Sequence, residues 1–198
     1  AGVSGFAVGD PVIALTGGAF RSIVNAKAAR VVARPSNLTA AHAATLPVAF
    51  LTAEHALTNL AKLRPGETIL IHAAAGGVGQ AAVQCAQAYG AKIIATAGSR
   101  RKRALLHARG VAHVLDSRTL DFEHQVLELT EGRGVDVVLN SLKYMEVSWS
   151  CLARGGRFIE AGKIGIWTVA QAQQRRPDAA YYHYDLVQMR AAVPDFTQ

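Results

Sequence analysis

Hydrophobic and polar positions change rhythm along this chain near residue 66. After the turn signal Leu63-Arg64-Pro65-Gly66-Glu67, short apolar runs alternate with segments of helical spacing. Thr68-Ile69-Leu70-Ile71-His72 reads as a strand. Across 78–89, Val78, Ala81, Ala82, Cys85, Ala86 and Tyr89 recur at i, i+3, i+4, i+7, i+8 and i+11, the stripe of a helix lying on a sheet, and Gly90 stops it. The same alternation continues. A strand over 93–96 leads to a helix over 102–108, stopped by Gly110. Val114-Leu115 is a third strand, and 122–130 are helical. Val135-Asp136-Val137-Val138-Leu139 is a fourth strand, followed by a helix over 145–152. Gly155-Gly156 then turns into Arg157-Phe158-Ile159-Glu160. Five short strands alternating with helices predict a parallel sheet covered on both faces, an α/β fold of the doubly wound Rossmann type.

Upstream the pattern differs. Gly9-Asp10-Pro11 is a turn signal before the apolar run Val12-Ile13-Ala14-Leu15, and 19–32 alternate loosely enough to predict further β structure, ended by Pro35. Residues 39–60 have helical spacing with a break expected at Pro47. The uncharged stretch 68–91 is long enough to cross a bilayer, but it holds His72, Gln80, Gln84, Gln87 and a central Gly76-Gly77. It therefore reads as strand, turn and helix, and no membrane span is expected. No internal repeat or low-complexity tract interrupts the chain.

Composition narrows the picture. With 198 residues, 51% hydrophobic and 18% charged, the chain can bury a core, which excludes disordered and disulfide-dense classes. Twenty-one Lys and Arg against fourteen Asp and Glu leave a net charge of +7, which favours anionic partners: nucleic acid, a membrane surface or a phosphorylated small molecule. Cys85 and Cys151 stand in unlike contexts, as two buried thiols in a reducing compartment, so a cytoplasmic location is expected. The first residues, Ala1-Gly2-Val3-Ser4-Gly5, form no signal peptide.

The first strand–turn–helix carries Ala73-Ala74-Ala75-Gly76-Gly77-Val78-Gly79. Set against the dinucleotide fingerprint, Ala74 takes the first glycine position, Gly76 the second and Gly79 the third, with Gly77 and Val78 between the last two. Gly76 would let backbone approach a pyrophosphate, Gly79 would let helix and strand pack closely, and the helix N-terminus offers N–H groups and a positive dipole. The end of the second strand selects between cofactors. An acid there would bind a ribose 2′-hydroxyl; this chain instead has Ala97-Gly98-Ser99-Arg100-Arg101-Lys102-Arg103, a hydroxyl followed by four cations. Ser99 and Lys102 can hold a 2′-phosphate by charge-assisted hydrogen bonds, so NADPH is the expected cofactor. The run lacks interleaved aromatics, and nucleic acid is not the expected partner.

Five segments resemble the medium-chain dehydrogenase/reductase superfamily, zinc-independent and quinone-oxidoreductase-like, and within it the enoyl reductase domains of modular type I polyketide and fatty-acid synthases. They are Leu46-Pro47-Val48-Ala49-Phe50-Leu51-Thr52-Ala53, the glycine loop, Ser117-Arg118-Thr119-Leu120-Asp121-Phe122, Gly134-Val135-Asp136-Val137-Val138-Leu139-Asn140-Ser141-Leu142, and Gly155-Gly156-Arg157-Phe158-Ile159-Glu160-Ala161-Gly162-Lys163. The glycine loop fits many quinone reductases; the Ser-Arg-Thr-Leu-Asp-Phe and Leu-Asn-Ser-Leu segments point to the synthases. The resemblance implies residues 1–51 as part of a β-rich GroES-like substrate domain, truncated at its N-terminal side. Residues 52–165 would be the NADPH-binding Rossmann domain, and 166–198 its C-terminal segment, without a completed return to the substrate domain.

The implied reaction is reduction of an α,β-unsaturated thioester on an acyl carrier protein, with hydride from NADPH to the β-carbon and a proton to the α-carbon. The family's proton-donor positions fall on Lys163 and Asp185. Lys163 follows a strand's carboxyl end, where open α/β sheets bind ligands. A nearby carboxylate would hold it charged and oriented, and desolvation would ease proton loss. The segment after it, Ile164-Gly165-Ile166-Trp167, departs from the commoner family pattern. Thr52 could meet the carboxamide end of the nicotinamide, Asn140 lies beside the expected cofactor path, Arg118 could share the 2′-phosphate with Lys102, and Gly162 is a further cofactor-binding candidate. Thr52, Asn140 and Arg118 could equally be capping or turn residues. No metal is expected: zinc-dependent relatives use a Cys four residues before the Thr matching Thr52, and Val48 stands there. His42, His55, His72 and His183 read as packing or surface residues. A free-standing quinone or enal reductase and a cofactor-binding fragment without activity are the alternatives. Neighbouring synthase domains are the implied partners; relatives dimerise through the Rossmann sheet, whereas some synthase enoyl reductases are monomers, so a homodimer stays open.

Overall fold

The computed structural model describes residues 4–186. They divide into two compact units, one running Thr52–Asp185 and the other holding the described residues on either side of it.

In the larger unit the apolar runs become strands because each must bury both faces. β3 (Thr68–Ile71) is buried throughout, as a central parallel strand has to be. The chain then alternates through α3 (Gly77–Ala88), β4 (Lys92–Ala97), α4 (Arg100–Ala108), β5 (His113–Asp116), α5 (Phe122–Leu129), β6 (Val135–Asn140), α6 (Met145–Ser150), β7 (Leu152–Glu160), α7 (Val169–Arg175) and β8 (Ala180–His183). The six strands lie in the order β5-β4-β3-β6-β7-β8, every neighbouring pair parallel. The chain starts at the centre, moves outward through β4 and β5, then returns to the other side of β3. The carboxyl ends of β3 and β6 therefore flank the crevice where such sheets hold ligands. One sheet face carries a core of Leu70, Ile94, Phe122, Val126, Val138, Trp149 and Phe158. The uncharged stretch predicted as strand, turn and helix is β3, its turn and α3; among the described residues no helix is long and apolar enough to cross a membrane.

Several local expectations are corrected. A sixth strand, β8, and the helix before it, α7, join the sheet. Helix α6 ends at Ser150 and β7 already begins at Leu152, so Gly155-Gly156 lies within a strand. There the register slips: Val135 pairs with Leu152 but Val137 with Arg157. Gly155 takes a φ of +70° in this bulge, a left-handed conformation that costs glycine little.

In the smaller unit, β1 (Val12–Ala14) pairs antiparallel with β2 (Val31–Ala33), while most of 19–32, expected to be β, is irregular. Two adjacent glycines and exposed Phe20 and Ile23 give that stretch no face to bury. The helical stretch 39–60 does break beside Pro47, two residues earlier than expected. Helix α1 (Ala40–Ala44) ends at Thr45, and Pro47 sits in the first turn of α2 (Leu46–Glu54), where its missing N–H would have lacked a partner anyway. α2 runs directly into a wider π turn, His55–Leu60.

Candidate active site

The glycine loop lies at the switch between β3 and α3. Ala73 adopts a left-handed φ of +47°, and the Gly76 N–H donates to its carbonyl at 2.8 Å, closing the turn. A Cβ on Gly79 would lie 2.5 Å from the Ala73 oxygen and 2.6 Å from the Ala74 Cα. Those are backbone atoms that cannot yield, so only glycine lets the first turn of α3 approach the strand end. Gly77 faces open space, and as N-cap Gly76 supplies no side chain to the helix's first N–H groups. An uncapped, positively polarised helix end behind a bare glycine surface fits a pyrophosphate. Ala74 is buried beneath it, its N–H donating to the Thr96 carbonyl, so it acts through shape rather than contact.

Ser99 caps α4 by accepting the Lys102 N–H at 3.3 Å, which leaves its own hydroxyl hydrogen to donate. The neighbouring Gly98 matters sterically: a Cβ there would lie 2.7 Å from the Arg118 Nε, so the Arg118 side chain crosses the β4–α4 turn beside Ser99. Asp116, ending β5, accepts the Arg118 backbone N–H at 2.9 Å and ion-pairs with Arg103 at 2.8 Å. Arg103 is thereby turned inward. Ser99, Arg100, Arg101, Lys102 and Arg118 remain exposed around the turn, a set whose chemistry fits a 2′-phosphate.

At the other end of the crevice the ends of β6, β7 and β8 meet. Lys163 and Asp185, 22 positions apart, form an ion pair at 3.5 Å. Asp185 is mostly buried, whereas the Lys163 side chain is 79% exposed, so the expected carboxylate partner is present and the expected desolvation is not. Gly162, immediately before the lysine, donates its N–H to Glu160 at 2.5 Å. Asn140, placed by sequence beside the cofactor path, points inward: Nδ2 donates to the Leu142 carbonyl at 2.8 Å and to Glu160 Oε2 at 2.6 Å, and Oδ1 accepts the Leu142 N–H. Its amide is spent within the protein, bracing the loop after β6. Thr52 is buried in α2 with the Tyr184 hydroxyl for a neighbour, and burial pushes that phenol up to about 12. His72, the residue after β3, is buried with Nδ1 3.0 Å from the Thr96 hydroxyl, and burial drives its pKa down to about 3. It stays neutral and packs edge-on against Phe122.

Glu160 and Tyr184 were not singled out from sequence as site residues. The signal for Glu160 was available: on a strand with period two it shares a face with buried Phe158, and a carboxylate in such a position demands partners.

The sheet order, glycine turn and cation-lined second strand end define a dinucleotide-binding domain of the doubly wound class. A family profile described as zinc-binding dehydrogenase matches residues 77–176. The chain is 47% identical over 189 residues to a phenolphthiocerol synthesis polyketide synthase, Pks15/1 of Mycobacterium marinum, covering 93% of this chain and 9% of that protein. Among solved structures, the CurK enoyl reductase is 48% identical with a TM-score of 0.94, covering 98% of this chain and 59% of that one. The nucleotide-binding subdomain of the PpsC enoylreductase domain from Mycobacterium tuberculosis is 46% identical with a TM-score of 0.68, covering 74% and 84%. The chain belongs to the zinc-binding dehydrogenase family, within the medium-chain dehydrogenase/reductases, and to its branch of polyketide synthase enoyl reductase domains. It spans less than a tenth of the synthases it matches and about three-fifths of the CurK reductase.

Among the described residues no cluster of three or more His, Cys, Asp or Glu side chains could hold a metal.

Proposed function

We propose that the chain is the cofactor-bearing part of an NADPH-dependent enoyl reductase acting on an α,β-unsaturated acyl thioester carried by an acyl carrier protein, beside other synthase domains in the cytoplasm. The observation carrying this reading is the Lys163–Asp185 pair, 3.5 Å apart, at the carboxyl end of the sheet whose glycine turn opens toward the same edge. The N-terminus of α3 with Gly76, Gly77 and Val78 would hold the pyrophosphate, and Ser99, Lys102 and Arg118 the 2′-phosphate. Bound there, NADPH supplies the hydride that reaches the β-carbon of the enoyl group. The protein then has to manage the electron-rich thioester that results. Lys163 carries three N–H donors on a reach long enough to extend above the strand ends, so it can stabilise the enolate oxygen or return a proton to the α-carbon. Asp185 pairs with that ammonium and limits where it points.

Two measurements test the reading. NADPH and NADH titrated into this chain should show preference for NADPH, and Arg118→Ala or Lys102→Ala should weaken NADPH by about tenfold without changing NADH, the loss of one exposed charge-assisted hydrogen bond. Turnover of a short enoyl thioester and of a quinone is then compared on a polypeptide spanning the full length of the matched reductase structures. Enoyl reduction that collapses in Lys163→Ala, or loses α-carbon stereochemistry, is the expected result. Faster quinone turnover would favour the free-standing quinone reductase; NADPH binding without turnover would leave a binding module.

A further inference from the structure

Glu160 is only 1% exposed, and three connections converge on it. Side-chain Oε1 accepts the Gly162 N–H at 2.5 Å, and Oε2 accepts Asn140 Nδ2 at 2.6 Å. Its backbone carbonyl accepts the Tyr184 N–H at 2.9 Å. Asn140 and Glu160 are also register partners across β6 and β7, and the Ala161 N–H donates to the Asn140 carbonyl at 2.9 Å. Gly162 immediately precedes Lys163, and Tyr184 immediately precedes Asp185. One buried residue therefore grips the chain one position ahead of each member of the ion pair, while Asn140 ties that residue to the neighbouring strand. A Cβ on Gly162 would lie 2.5 Å from Glu160 Oε1, so any larger residue at 162 would push the carboxylate out of this position.

We propose that Glu160, held by Asn140, is the positioning residue of the Lys163–Asp185 pair: its carboxylate fixes the turn that aims Lys163, and its backbone fixes the start of the segment that carries Asp185. The working role of the pair rests on the reading above; the positioning claim is testable apart from it. Glu160 touches neither substrate nor cofactor in this account. It acts through Gly162.

In Glu160→Gln, with Asn140 unchanged, the new amide has one accepting end for two donors, so either the Asn140 N–H₂ or the Gly162 N–H is left facing an N–H₂, and the Asn140–Glu160–Gly162 connection that fixes the turn is broken. In the reciprocal swap, Asn140→Asp with Glu160→Gln, the new amide donates to the carboxylate introduced on β6 while its carbonyl still accepts the Gly162 N–H. The bonds from Asn140 Nδ2 to the Leu142 carbonyl and the Met145 sulfur are given up. The probe is the ¹³C resonance of reductively dimethylated Lys163, assigned by its loss in Lys163→Arg. Asp185→Asn should move that resonance in the otherwise native chain, leave it nearly unmoved in the Glu160→Gln background, and move it again in the swap. In the full-length reductase, Glu160→Gln should lower kcat by about 10- to 100-fold, as misplacing a reacting group by about 1 Å does, with the thioester KM and NADPH affinity little changed. The swap should recover most of the loss. Should Glu160→Gln fail to fold, the swap carries the test alone, compared with native chain. An unchanged response of Lys163 to Asp185→Asn in Glu160→Gln, or a swap in which that response is absent, would overturn the positioning role. A Lys163→Ala enzyme with full turnover would overturn the catalytic reading and leave the resonance test standing.

Discussion

His72 should make the stability of this fold depend on pH in a way that one substitution removes. Its ring is buried, and burial lowers its pKa from 6.5 to about 3. The unfolded chain therefore takes up a proton near pH 6.5 that the folded chain refuses until about pH 3. Because the unfolded state binds more protons across that window, this contribution is complete above pH 6.5 and lost progressively as pH falls toward 3. Between pH 7.5 and pH 5 the loss is about 2 kcal/mol, from about 1.5 pKa units of linkage at 1.36 kcal/mol each. His72→Asn keeps a polar atom near the Nδ1 position opposite Thr96 and has nothing to titrate. The variant should be less stable at every pH, because the half of the ring packed against Phe122 is gone. Its urea unfolding free energy should nevertheless fall about 2 kcal/mol less than the native chain's over this interval. The difference between the two slopes isolates His72 from the other histidines, including His55, whose pKa burial also lowers. Parallel slopes for the two proteins would refute the argument, since they would mean that His72 is protonated or solvated in the folded state.

Other outcomes follow from geometry. Gly79→Ala forces a methyl to within 2.5–2.8 Å of backbone at Ala73 and Ala74, so the turn must open; NADPH affinity should fall by more than about tenfold in a fluorescence titration, with destabilisation of about 1–3 kcal/mol by denaturant. Arg157 joins the π turn to the sheet, reaching the Ala61 carbonyl at 2.8 Å, both Glu67 carboxylate oxygens and the Asp136 carbonyl. Arg157→Met, which keeps bulk but strands Glu67, should cost about 2–3 kcal/mol, below the range for fully buried pairs because both side chains retain some exposure.

The cofactor half of the fold was legible where local rules and tertiary needs coincide. The glycine turn, the α3 stripe and Ser99 at the head of α4 each satisfy a helix end or a close approach that a short window of sequence can state. β8 was missed because Ala180-Tyr181-Tyr182-His183 is short and carries two hydroxyls and an imidazole; it is a strand because β7 offers it an edge. Helix α7 buries only Ala172, so it has almost no apolar stripe, yet its start was written in Thr168-Val169-Ala170-Gln171, whose side chains form a reciprocal cap. Lys163 and Asp185 were paired through resemblance to a family, not through spacing. The Glu160–Asn140 contact had no sequence signal beyond a charge on a buried strand, because it depends on the register between β6 and β7, which is set 20 residues apart.

The strand order has a further consequence during synthesis. β3 emerges first among the six strands and finds β4 soon after, but its other edge waits for β6: Thr68 and Asp136, joined at the start of the two strands, are 68 residues apart. At about 5–20 residues per second, the bare side of the most buried strand in the sheet stays open for roughly 3–14 seconds. Its four residues, Thr-Ile-Leu-Ile, are a ready template for pairing with another chain. The ribosome exit, not the folded chain, is where this architecture is most exposed to aggregation, and slowing translation between β5 and β6 should lengthen that exposure.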